Sequence, residues 1–266
     1  MCGRYTITSA PEAIRAMFAY AERPNFPARY NIAPTQPIPI VRLADGKRQF
    51  TLMRWGLLPS WVKDPKAFSL LINARGETVI EKPAFRAAMK RRRCLIPADG
   101  FYEWQAGPTR KQPYYIHAKS GAPLAFAGLW ETWTGPDGEE IDTAAIVTTA
   151  ANRTLRPIHD RMPVVVPPEA FDLWLDNTHV DAVTASALIA PAPENLLEAF
   201  PVSTAVNRVA NDDARLLEPV GVSAETERAT ETAAKAKAGA KFAPAEKVKS
   251  APGKRAKKTS GQGALF

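Results

Sequence analysis

CLIPADGFYEWQAGPTRKQPYYIHAKSGAPLAFAGL, residues 94–129, decides the fold class. Three short β-like runs lie in it, Cys94–Pro97, Tyr114–His117 and Leu124–Leu129, with Pro and Gly at the joints. Few strand–helix–strand crossovers fit a stretch built this way. Working outward, Ile38–Leu43, Phe50–Trp55, Ala144–Thr149 and Met162–Val166 carry the same signature. Helical stretches are predicted at Ala10–Ala21, Ala84–Arg92, Pro168–Leu175 and Thr184–Ile189. The expectation is therefore α+β: a mixed, largely antiparallel sheet with flanking helices.

Composition bounds the rest. The chain has 266 residues, 45% hydrophobic and 23% charged, which suits a globular body. No apolar run is long enough to span a bilayer, and MCGRYTITSA lacks the apolar core of a secretory signal. These features predict a cytoplasmic, nucleoid-associated location. Two cysteines, Cys2 and Cys94, and three dispersed histidines offer neither a disulfide framework nor metal-ligand spacing. Cys94 precedes an apolar strand and reads as an inert buried thiol.

The net charge of +8 is uneven. Ser223–Phe266 holds ten basic and four acidic residues, so most of the excess lies there. That segment is Ala/Lys-rich, broken by Pro and Gly, and cannot bury enough apolar area to offset chain entropy. The chain thus divides into a folded body, residues 1–222, and a disordered tail, residues 223–266. The tail either holds nucleic acid weakly through its lysines or serves only to solubilise.

The N-terminus is where chemistry is most legible. Cysteine is small enough for the initiator Met1 to be removed, leaving Cys2 with a free α-amine and a thiol on adjacent carbons. An α-amine has a pKa near ~8 against ~10.4 for lysine, so a useful fraction is unprotonated at neutral pH. It condenses readily with an aldehyde. The thiol can then close on the imine carbon, giving a five-membered thiazolidine that resists hydrolysis.

Seven blocks in order carry a family resemblance: MCGRY (1–5), RYNIAPTQ (29–36), RWGLLPSW (54–61), INARGET (72–78), RCLIPADGFYEW (93–104), HDRMPVVV (159–166) and PVSTAVN (201–207). Together they resemble the SRAP family (SOS-response-associated peptidase), of the type that cross-links to abasic sites in DNA. The resemblance implies one SRAP-like catalytic and DNA-binding domain over residues 1–222. It implies catalytic roles for Cys2, Asn73, Glu103 and His159. Histidine titrates in the range needed to open a closed abasic sugar, and a carboxylate can serve carbinolamine dehydration. Taken singly, Glu103 could be a salt-bridged glutamate, His159 a structural histidine and Asn73 a turn or cap residue.

The implied partner is single-stranded DNA containing an abasic site, or a junction of single and double strands. Arg4 and Arg75 match basic residues of the family motifs and suit phosphates. Trp61 and Trp104 suit base stacking, Trp61 near the family's residues that wedge against duplex. Trp55 reads as core. Lys90–Arg93 reads either as a helix end on the DNA path or as a solvated charged face. Imine chemistry implies no metal and no cofactor. Nothing suggests an obligate oligomer, so a monomer is expected.

The family name implies self-processing that removes residue 1, and an imine intermediate implies abasic-site lyase activity. Gln262, Leu265 and Phe266 resemble the terminal peptide of sliding-clamp ligands, although Gly263 replaces its usual leucine. Two competing readings stand beside this one. An N-terminal-nucleophile glutamine amidotransferase also begins Met-Cys-Gly, and a non-enzymatic DNA-binding module would make Cys2 incidental.

Overall fold

Pro37–Trp55 folds into a hairpin whose turn, Asp45–Gly46, has φ of 50° and 70°. Two left-handed residues between paired Ala44 and Lys47 make a type I′ turn, whose twist matches the flanking strands. The molecule grows from pairings of this kind. The computed structural model describes residues 2–221; Met1, the tail and the terminal clamp-like peptide lie outside the described residues.

The described elements in chain order begin with β1 (Tyr5–Ile7), α1 (Pro11–Phe18), β2 (Arg29–Ile32), β3 (Pro37–Ala44), β4 (Lys47–Trp55) and β5 (Asn73–Arg75). Next come α2 (Arg86–Arg91), β6 (Arg93–Ala98), β7 (Gly100–Gln105), β8 (Gln112–Ala118) and β9 (Leu124–Thr134). The chain continues through β10 (Glu140–Ala150), β11 (Arg161–Pro163), α3 (Phe171–Leu175), α4 (Ala182–Ser186) and β12 (Leu197–Pro201).

Two sheets form instead of one. The first has the order β12-β8-β7-β1-β2 and is antiparallel throughout. In the second, β10 pairs with both β4 and β9, so β10-β4-β3-β6-β9 closes into a ring without free edges. The first half of β10 lies between β9 and β4. Its C-terminal end lies between β5 and β11, the strand that begins two residues after His159. That strand therefore passes from the core directly to the site.

The sheets meet through aromatic edges. Tyr5 of β1 packs edge-on against Trp55 at 5.4 Å and Phe126 at 6.3 Å, and Phe101 meets Phe126 at 5.8 Å. All four are fully buried, so Trp55 is core as expected. The class is α+β. Strands β1, β2, β5, β7 and β12 had no clear sequence signal, because they are short or carry polar residues that the fold buries. The helices are shorter than predicted; α1 stops where Ala19 turns to φ 54°, and residues 168–170 form a 3₁₀ turn ahead of α3. Among the described residues no helix is long and apolar enough to cross a membrane.

The basic run at Lys90–Arg93 needs a correction. Lys90 and Arg91 are exposed, but Arg93 is fully buried. Its guanidinium donates to the carbonyls of Trp174, Met89, Asp176 and Val180 at 2.6–2.9 Å. It ties α2 and α3 to β6, which is neither a DNA path nor a solvated face. Arg93→Met would leave those buried carbonyls without a donor. Urea unfolding is expected to show a loss of about 3 kcal/mol; a midpoint unchanged from the parent would contradict this account of Arg93. Cys94 is buried, and burial pushes its thiol pKa up, so it stays protonated.

Candidate active site

Cys2 lies at the seam between the two sheets. It is buried, its Sγ 3.8 Å from the Arg4 carbonyl. Tyr5 pairs with Phe101 and the Tyr102 N–H donates to the Arg4 carbonyl, which runs the first residues of the chain alongside β7 and its Glu103. From the other sheet, Asn73 at the start of β5 donates its Nδ2–H to the Cys2 carbonyl at 2.8 Å. Parallel pairing of Asn73 with Ile146 and Ala74 with Val147 fixes its position on β10.

Glu103 is only 3% exposed. Burial, reinforced by the negative charge of Asp160, raises its carboxyl pKa to about 7. The same carboxylate, after burial itself, helps push the Cys2 thiol up. His159 faces it, with Nε2 3.9 Å from Oε2 of Glu103. The Arg161 N–H donates to Nδ1 of His159 at 2.9 Å. A ring nitrogen that accepts cannot carry the proton, so the neutral imidazole is held as its Nε2–H tautomer, facing Glu103. Burial first, among other causes, lowers the pKa of His159 and favours this neutral form.

A cleft of ≈ 610 Å³ opens over this pair, lined by Glu103, Trp104, Arg110, Lys111, His159, Thr204 and Asn207. Trp104 is half-buried in its wall and donates its Nε1–H to Oδ1 of Asn207 at 2.8 Å. Arg110 and Lys111 come from the loop between β7 and β8; the sequence reading missed them. The signal available was PTRKQP (108–113), two cations between prolines five residues after Glu103.

The other expected contacts separate. Arg75 is exposed and lies two residues beyond Asn73 on β5, on the same face. Arg4 turns inward. Its Nη1 donates to Oδ1 of Asn31 at 2.8 Å and to the Val206 carbonyl at 2.7 Å, and its Nη2 donates to the Asn207 carbonyl at 3.4 Å. Fully buried Asn31 adds three donor contacts to the carbonyls of Val206, Arg208 and Asn211. Arg4 thus braces the cleft wall that carries Asn207. Trp61 is 58% exposed, edge-on to Phe68 at 5.7 Å, and lines a separate surface hollow. Among the described residues, no group of three His, Cys, Asp or Glu is placed to hold a metal ion.

Comparison with known proteins gives the family. The family model described as SOS response associated peptidase (SRAP) matches residues 1–209. The abasic site processing protein YoqW of Bacillus subtilis is 39% identical over 222 residues, covering 82% of this chain and 99% of the relative. YedK of Escherichia coli, also named an abasic site processing protein, is 33% identical, covering 83% and 100%. HMCES of Xenopus tropicalis, named likewise, is 34% identical over 80% of this chain and 76% of its own. A crystal structure from Bacteroides thetaiotaomicron superposes with a TM-score of 0.75 at 24% identity, covering 83% of this chain and all of that one. A phage-related protein from Bordetella bronchiseptica gives 0.61 at 37% identity, covering 76% and 94%. The ordered motifs, the two-sheet fold and the match over residues 1–209 agree: this chain belongs to the SRAP family.

Proposed function

We propose that this chain processes abasic sites by capturing the ring-opened sugar aldehyde of single-stranded DNA on Cys2 as a thiazolidine. One observation carries the reading. The Cys2 carbonyl is tied to Asn73 in the corner where the Glu103–His159 pair meets a cleft lined by two cations.

The chemistry follows from these groups, once Met1 has been removed. The Nε2–H of His159 hydrogen-bonds the ring oxygen of the abasic sugar, while the Glu103 carboxylate takes the proton of the C1 hydroxyl and passes it to that oxygen as the C1–O ring bond breaks, so the aldehyde opens with both side chains restored. The Cys2 amine adds to C1. Glu103, with its pKa near 7, gives a proton to the departing hydroxyl, which leaves as water and yields the imine. Sulfur then bonds to the carbon of this protonated imine, whose nitrogen keeps its hydrogen, and the thiol proton passes to the Glu103 carboxylate, restoring the acid. Burial keeps the thiol protonated until that step, protecting it from oxidation beforehand.

Arg75, Arg110 and Lys111 would take phosphates flanking the lesion, and Trp104 a neighbouring base. Trp61 lies outside the cleft and suits a base or duplex end further along the strand. The imine also permits β-elimination, hence weak lyase activity. Removal of Met1 is the one peptidase-like step the reading requires, and self-processing would supply it.

The test is denaturing electrophoresis after mixing the full chain with a single strand bearing one abasic site. A band at the summed mass supports capture. Absence of any shift, with intact DNA recovered, contradicts it. Asn73→Asp adds a finer check, since it faces the Cys2 carbonyl with an acceptor in place of a donor. Single-turnover capture by Asn73→Asp is expected to slow by roughly tenfold to a hundredfold through misplacement of the nucleophile. A rate equal to wild type would remove Asn73 from the site.

A further inference from the structure

Arg161 makes a connection that the proposed chemistry leaves unused. Its Nη1 and Nη2 donate to the two carboxylate oxygens of Glu77 at 2.5 and 2.9 Å. Its Nη2 also reaches the Thr148 carbonyl at 2.8 Å and the Thr148 hydroxyl at 3.2 Å. Thr148 is the β10 residue that pairs with Arg75 on one side and Pro163 on the other. Glu77 lies in the 3₁₀ turn Gly76–Thr78 that follows β5. One guanidinium therefore fastens the segment carrying Asn73 to the segment carrying His159.

This fastening reaches the imidazole through the backbone, because the N–H of Arg161 itself donates to Nδ1 of His159. We infer that Glu77 is a positioning residue for His159: by holding Arg161 at two points it fixes that N–H, and so keeps the imidazole neutral with its proton on Nε2. Among the described residues, the charged groups facing His159 are Glu103 from β7, Asp160 beside it and Lys111 from the β7–β8 loop. Asp160, with Oδ1 3.1 Å from Nδ1, would reward a proton on Nδ1. Loosening the Arg161 N–H therefore shifts the balance toward the protonated ring. Glu77 itself stays charged, since the hydrogen bonds from Arg161 hold its carboxyl below the usual range. The Arg161 side chain is 14% exposed and that of Glu77 50%, so the pair is reachable by substitution without opening the core.

The inference rests on the proposed role of His159 only in its kinetic consequence; the tautomer can be read without DNA. Nitrogen-15 imidazole spectra of the full chain should show wild-type His159 neutral at pH 7 with Nε2 protonated. In Glu77→Gln the ring should show mixed tautomers, with its protonation midpoint raised by roughly half a unit to one unit, the scale of one hydrogen bond. Glu77→Asp should restore most of the wild-type signature. Single-turnover capture by Glu77→Gln should fall roughly tenfold, with its acidic limb moved to higher pH. Affinity for a strand carrying an unreactive tetrahydrofuran site should stay within about twofold, since Arg161 and Glu77 are engaged with each other and with Thr148. An unchanged His159 spectrum in Glu77→Gln overturns the inference, whether or not thermal stability falls. If Glu77→Gln fails to fold, Arg161→Lys takes its place, because it keeps the charge and loses the two-point geometry. Absence of any wild-type adduct would instead count against the proposed function, and the spectra would still decide the role of Glu77.

Discussion

Cys2→Ala is expected to leave no adduct that survives heating in denaturant. The variant keeps an α-amine on its second residue, so condensation with the aldehyde still proceeds. What it lacks is the sulfur that closes the ring. An imine exposed to water reverts, whereas a thiazolidine must first reopen. The expected gel shows a strong band for wild type and, for Cys2→Ala, a band only when hydride is added to trap the imine. The variant should also nick the strand more, because an imine that persists unclosed remains open to β-elimination. Since Cys2 is fully buried but small, the loss of its sulfur should cost about 1 kcal/mol of stability, too little to explain a lost product. A Cys2→Ala adduct as durable as wild type would remove the thiol from the chemistry.

Glu103→Gln should separate activity from stability in opposite directions. The glutamine preserves shape and cannot transfer a proton, so the capture rate is expected to fall by about 10² to 10⁴. Stability should rise, and only above a certain pH. The carboxyl of Glu103 has a folded-state pKa of about 7, whereas in an unfolded chain it is ~4.3. Between these values the native state binds more protons than the unfolded state, so stability falls as pH rises through that window. The favourable contribution is complete below the unfolded value and gone above pH 7. Glu103→Gln removes this dependence, with a gain of the order of 1–3 kcal/mol at pH 8 and almost none at pH 4. Thermal unfolding at the two pH values measures it. A variant no more stable than wild type at pH 8 would mean that the buried carboxylate carries no penalty, and its role as a proton donor near neutrality would lose its basis.

The sequence was most readable where chemistry and motif coincide. Cys2, Asn73, Glu103 and His159 each lie in a recognisable block, and the fold brings those blocks together. Arg4 has a bracing role that the sequence does not announce. Its partners Asn31, Val206 and Asn207 lie far along the chain, and no local pattern points to them. Arg93 shows the same limit, since four carbonyls from distant segments make an interior place for a charge that sequence assigns to the surface. Strand β7 was missed because burial of Glu103 is a tertiary fact, invisible in GFYEWQ, where a carboxylate interrupts the aromatic run. Arg110 and Lys111 carried a local signal, a cation pair in a Pro-bounded loop, and only the cleft gives it meaning.

The account stands on a free aminothiol at the start of the mature chain. Mass spectrometry of the purified cross-link, after digestion of both protein and DNA, tests this most directly. The expected species is a peptide beginning at Cys2, heavier by the sugar remnant less one water, inert both to hydride reduction and to thiol alkylation. A cross-linked peptide that still carries Met1, or a sugar remnant attached to a lysine, would contradict it.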